Sequence, residues 1–283
     1  MSSEDPDVFG RPTVAYTPDQ RNSYDVDIFP LQAVLDTIHS VNSAHSPTAV
    51  KALDFDAMAL YYRILSGHPV RNIDFISWLR SLASLDHVTS TYARWTSWQY
   101  RNATGLALLY DSLGDPLAAT QFAGFAVTFC ADSLAATSGF GYPGWKFAFD
   151  KLGRAIGENS EEYSLLWELK GPGKRTDDEY LAAICDLQGL LVDSNRDFDL
   201  WAGQLCFNGG AKVLRLRDRK MIRYHGVGAF DWTSKAGDPE LLLSMHGKTL
   251  HALCQEIYAN DRERCLQDLK GLLGSGVLAI AFE

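Results

Sequence analysis

The 283-residue chain holds no CxxC pair, no HExxH, no GxSxG and no phosphate-loop signature. A zincin-type metal site, a serine nucleophile elbow and a nucleotide-cradling loop therefore have no footing in it. Positive charge is also short, with 26 basic residues against 35 acidic and a net charge of −9. That balance argues against a protein whose whole surface grips nucleic acid, while leaving room for a local basic groove. Long apolar runs are missing too. The longest uncharged stretch, 117–131, is interrupted by Thr120, Gln121 and Thr128, and reads as a buried central helix rather than a membrane span. The first twenty residues are polar and carry four acids, which is not the pattern of a signal peptide. Strand-like alternation is scarce outside 213–222, and no repeat recurs at a fixed period.

Hydrophobic residues (46 %) and aromatics (12 %) are plentiful enough to build a sizeable core. Five cysteines (Cys130, Cys185, Cys206, Cys254 and Cys265) form an odd set that reads as reduced thiols of a cytosolic compartment, most of them filling core. Helical spacing dominates. It predicts helices beginning near Asp27, through 57–64, from Asn72, over 89–113, over 116–136 and over 145–156. Further helices are expected from Thr176 to about Val192, from Asp238 through Ile257, and from Asp261. The expected fold class is all-α: a helical core with a flexible polar arm over 1–26 and little or no sheet. Gly171, Pro172 and Gly173 mark the expected joint between a helical lobe at 27–170 and a second at 174–283.

Asp177 and Asp178 superficially match an aspartate-rich Mg²⁺ motif, but Thr176 and Glu179 account for them as a capping box. His246 and His251 are five apart, which is not the spacing of two ligands on one helical face. His225-Gly226-Val227-Gly228 resembles the hairpin of helix–hairpin–helix DNA glycosylases, with Asp231 and Lys235 nearby but off the required spacing. No catalytic residue, metal ligand or cofactor is assigned from these patterns.

The most informative segment is 212–223. Lys212, Arg215, Arg217, Arg219, Lys220 and Arg223 stand there against one acid, Asp218, a local excess of five positive charges. A solvated, salt-bridged surface element would account for it. So would a phosphate-tracking stripe anchored by the interleaved Val213, Leu214, Leu216, Met221 and Ile222.

Directly after it comes Gly228-Ala229-Phe230-Asp231-Trp232, with Thr233, Ser234, His246 and Lys248 downstream. This resembles the AFDF signature near the carboxyl end of coat proteins of flexible filamentous positive-strand RNA viruses, with Trp232 in place of the usual Phe. The tripeptide also occurs at Ala148-Phe149-Asp150. The resemblance implies a mostly helical structural protein that encapsidates single-stranded RNA as a helical homopolymer, its amino-terminal arm docking on a neighbouring subunit. It implies a virion and host-cytoplasm location and no membrane partner. It also implies a buried ion pair between Asp231 and an upstream arginine. Arg196 is the first choice, Arg215 remains open, and Arg223 is closer in sequence. The expected RNA contacts are the six cations at 212–223, lying together along one accessible channel, with Phe230 or Trp232 as possible stacking platforms. The alternatives are a base-acting enzyme of the glycosylase type and a helical scaffold that binds an acidic protein partner.

Overall fold

A computed structural model describes residues 14–16, 24–26, 29–67, 72–191, 198–207, 211–216, 219–224, 228–232, 235, 238–275 and 277–282. For 14–16, 24–26, 216, 223, 224, 228 and 229 it describes the backbone alone. The fold is mainly α. Among the described residues, twelve helices accompany seven short strands in three small sheets. The chain divides into two compact units, 1–91 and 92–283.

In the first unit, β1 (Val14–Tyr16) and β2 (Tyr24–Val26) pair antiparallel. Four helices follow: α1 (Leu31–Asn42), α2 (Pro47–Lys51), α3 (Phe55–Ser66) and α4 (Ile73–Ser81). Ser46 starts α2 by accepting a bond from the Ala49 N–H, with Pro47 in the first turn, where its missing N–H costs nothing. The core of the unit includes Ile38, Val41, Val50, Met58 and Leu79 around a fully buried Tyr61. The Tyr61 hydroxyl donates to Asn42 Oδ1 at 2.6 Å and accepts from the Ser84 N–H at 2.9 Å, so the phenol oxygen carried into that core is satisfied.

The long helix α5 (Leu85–Ser112) runs on into the second unit. Gly114 closes it with φ +67°, a left-handed turn that glycine enters without steric cost. Asp115 then caps α6 (Pro116–Thr137). Alanines at 119, 123, 126 and 131 are buried along α6 and let its neighbours approach closely. By length and apolar composition α6 is long enough to cross a membrane, where its sequence reads as too short and too polar to span one. Ten of its 22 residues are nevertheless buried in this fold, including the charged Asp132, and it serves as the central core helix.

Around α6 pack α7 (Ala148–Ile156), α8 (Glu161–Glu168) and α9 (Asp177–Asp186), sharing one apolar cluster with Tyr100, Ala103 and Ala107 of α5. The expected joint at 171–173 lies inside this unit. Leu166 and Leu169 before it, and Tyr180, Leu181 and Ile184 after it, belong to the same cluster. The glycines there make a turn between packed helices, not a boundary. Helix α8, which helical spacing alone did not single out, is capped by Ser160.

A second cluster joins Leu109 and Leu113 of α5 to a mixed layer. That layer holds β3 (Gln204–Phe207) paired antiparallel with β7 (Leu278–Ala281), and a three-stranded antiparallel sheet of β4 (Lys212–Leu216), β5 (Arg219–Tyr224) and β6 (Gly228–Asp231). It is covered by α10 (Pro239–Leu243), α11 (Leu250–Tyr258) and α12 (Arg262–Gly274). The single helix expected from Asp238 is two. Gly247 at φ +77° breaks it, and Thr249 caps a new start by accepting from the Ala252 N–H. Phe282 closes the layer against Gly105, where any Cβ would overlap the phenyl ring.

Candidate nucleic-acid interface

The ambiguous basic segment forms the hairpin β4–β5, in the register Lys212↔Arg223, Val213↔Ile222, Leu214↔Met221, Arg215↔Lys220 and Leu216↔Arg219. Successive side chains of a strand point to opposite faces, so this register divides the expected stripe. One face carries Val213, Arg215, Lys220 and Ile222. Ile222 is completely buried in the second cluster and fixes that face as the inner one. The other face carries Lys212, Leu214, Arg219 and Met221, with Lys212 and Arg219 exposed and Leu214 and Met221 half-buried. Among the described cations this parity sets Lys212 and Arg219 on one face and Arg215 and Lys220 on the other. Arg217 lies outside the described residues, as does the side chain of Arg223.

On the inner face Arg215 is taken up by the chain's own acids. Its Nη2 lies 3.2 Å from Asp238 Oδ2 and 3.2 Å from Glu240 Oε1, at the start of α10. Burial pushes the Asp238 carboxyl up. The hydrogen bonds from Arg215 and the Glu240 N–H, with the charges of Arg215 and Lys220, outweigh it and hold the carboxyl below its ordinary range. Arg215 therefore ties the hairpin to the start of α10 through a half-exposed ion pair.

Strand parity also decides Asp231. Phe230 pairs with Ile222 and takes the inner position, and Trp232 is inner again and almost wholly buried at 1 % exposure. The residue between them must point out, and Asp231 is exposed, level with Leu214 and Met221. The buried acid implied by the motif is thus corrected to a surface acid. Arg196, its expected partner, lies outside the described residues. Trp232 does not serve as a stacking platform: its ring packs into the core, and its backbone N–H donates to the Lys220 carbonyl at 2.7 Å. Phe230 packs against the same cluster, its ring where a Cβ on Gly271 would fall.

The glycosylase-like turn is corrected as well. Residues 225–227 lie outside the described set, but the flanking elements are β5 and β6, paired antiparallel with Tyr224 opposite Gly228. It connects strands, not helices. Lys235 forms an ion pair with Asp268 at 2.9 Å, and Asp268 also accepts from the Tyr258 hydroxyl at 3.1 Å. The lysine pins the end of the sheet to α12. His246 accepts from the Phe207 N–H through Nδ1, and Lys248 pairs with Glu256. Asp177 and Asp178 fall in the first turn of α9, and the Thr176–Glu179 capping box is complete. Among the described residues no three metal-ligating side chains come together.

The most chemically distinctive cluster was not singled out from the sequence. Asp132 of α6, fully buried, pairs with Lys151 of α7, itself only 6 % exposed. The Tyr92 hydroxyl donates to the same carboxylate and accepts from the Gly144 N–H at 3.2 Å. Lys151 Nζ also donates to the Tyr142 carbonyl at 2.6 Å and lies 5.2 Å from the Tyr92 ring centroid. Burial raises the Asp132 carboxyl and lowers the Lys151 ammonium, each opposed by the partner's charge. Burial also lifts the Tyr92 phenol far above its ordinary range. The visible signal was an acid inside an alanine-rich helix, which demands a partner.

The chain matches no protein-family model, no curated protein and no solved structure.

Proposed function

We propose that this chain is a structural, self-associating subunit that coats single-stranded RNA without turnover, as the resemblance to flexible filamentous coat proteins implies. The observation that carries the reading is the outer face of the β4–β5 hairpin. Lys212 and Arg219 stand exposed at its two ends, with Leu214 and Met221 between them. Four strand residues separate their rows, about 13 Å at the usual rise, so they suit two non-adjacent phosphates of an extended strand. Such contacts neutralise backbone charge and read no sequence. Self-association is supported by apolar side chains left in water: Phe75, Trp78 and Leu82 in the first unit, Leu117 and Phe125 on α6 in the second. Head-to-tail contacts between unlike patches on successive copies build a ring where the rotation closes and an open helical filament where it does not.

The test is RNA binding by nuclease-treated protein, followed by anisotropy across a salt series. Lys212→Glu with Arg219→Glu should weaken binding to every sequence and flatten the salt slope by about 0.7 for each cation lost. Arg215→Ala should leave that slope unaltered. A double variant that binds like wild type throughout the titration overturns the reading. Negative-stain images should show filaments or rings.

The Leu214–Met221 centre between two cations also fits an acidic, amphipathic protein segment, the scaffold reading. Nuclease digestion separates the two, because a complex with protein keeps its absorbance ratio.

A further inference from the structure

The buried Tyr92–Asp132–Lys151 network holds one particular piece of chain, the loop between α6 and α7. Lys151 grips the Tyr142 carbonyl and Tyr92 accepts from the Gly144 N–H. The Phe140 N–H donates to the Ala135 carbonyl at 2.9 Å, and Gly139 turns the chain at φ +94°. The loop is therefore fixed from beneath by hydrogen bonds and a desolvated ion pair. What it holds up is aromatic: Phe140, Trp145 and Phe147 are 40 %, 46 % and 41 % exposed. Trp145 and Phe147 share one 3₁₀ turn with Lys146, whose Nζ lies 4.9 Å from the Phe147 ring centroid. Gly144 allows the Tyr142 and Phe147 rings to lie close to the backbone between them. A Cβ there would meet Tyr142 Cε1 at 2.9 Å and Phe147 Cδ2 at 3.4 Å.

We infer that this loop is a stacking site for bases of single-stranded RNA, with Lys146 placed for an adjoining phosphate. The inference rests on the RNA-coating reading and supplies what the hairpin lacks, since Phe230 and Trp232 are packed inward. Flat rings beside a cation match a nucleotide, which offers a flat base and a negative phosphate together. A loop whose backbone is held in advance binds without the ordering cost that a loose loop would bear. Recognition of this kind tolerates any base, as coating a long RNA requires.

The experiment compares a uridine oligonucleotide with an abasic strand of equal length and charge. Wild-type protein should prefer the base-bearing strand. Trp145→Ala with Phe147→Ala should bind it about 5- to 100-fold more weakly, no longer tell the two strands apart, and keep the salt slope. Trp145→Phe should recover most of the loss, and melting curves of each variant check that the fold persists. The inference is overturned if the double variant binds the uridine strand as wild type does, or if wild type binds both strands equally. It is also overturned if phosphatidylcholine vesicles, rather than RNA, shift the Trp145 emission. Loss of binding in the hairpin variants with none in the loop variant would leave the coating reading standing and remove only the stacking site. Wild-type protein that binds neither strand removes both.

Discussion

Lys151 and Asp132 form an ion pair with both side chains out of water, and the same lysine holds the Tyr142 carbonyl. Removing one charge strands the other in a low-dielectric core, whereas removing both leaves only a packing problem. Lys151→Met or Asp132→Leu alone should cost about 3–5 kcal/mol of stability. Lys151→Met combined with Asp132→Leu should recover much of that loss. Urea denaturation midpoints of the three variants check this, and a double variant as unstable as the sum of the singles would show that the pair is not coupled.

The start of α9 carries a pH dependence with a definite sign. The Thr176 backbone N–H, 2.9 Å from Glu179 Oε2, and then the Thr176 side chain hold the Glu179 carboxyl below its ordinary value of 4.5. A carboxyl depressed in the folded state adds stability above its unfolded pKa and loses it as the pH falls through the folded value. Amide protection in the first turn of α9 should therefore hold at neutral pH and decline on acidification below about 4.5. Glu179→Gln, which keeps an acceptor but cannot titrate there, should abolish the decline. The same acid-induced loss in that variant would rule Glu179 out as the source.

Helix starts were legible because they are written within four residues. Thr176 with Glu179, Asp115 with Pro116, Asp238 with Pro239, and Asp261 all cap where their chemistry places them. Even the split of the 239–258 stretch had a local mark in Gly247, which helical spacing across Leu242, Met245 and Leu250 concealed. The hairpin was less legible. Residues 213–222 alternate, but which alternate positions face inward depends on Ile222 meeting a cluster built from α5 and three later helices. That parity also sorts the six cations, so no count of charge along the sequence could show that Arg215 is taken by Asp238 and Glu240. The Asp132–Lys151 pair was hidden for the same reason, since the two meet only once α6 and α7 pack. The pairing of β3 with β7 joins residues more than seventy positions apart, and neither strand is long enough to declare itself.

Strand parity in the β4–β5–β6 sheet can be measured at Trp232. Its ring is buried with Leu242, Met245 and Leu269 while its neighbour Asp231 faces water, so the two residues of the motif differ in what they support. Trp232→Ala should cost about 3–5 kcal/mol, as expected for a large ring removed from a packed core. Trp232→Phe, the residue usual at that place in the coat-protein signature, should cost far less. Asp231→Asn should leave the denaturation midpoint near that of wild type, because an exposed strand residue contributes little through its charge. If Trp232→Ala left the midpoint as near that of wild type as Asp231→Asn, the tryptophan would have to be the outward residue. The strand parity that divides Lys212 and Arg219 from Arg215 and Lys220 would then be wrong as well.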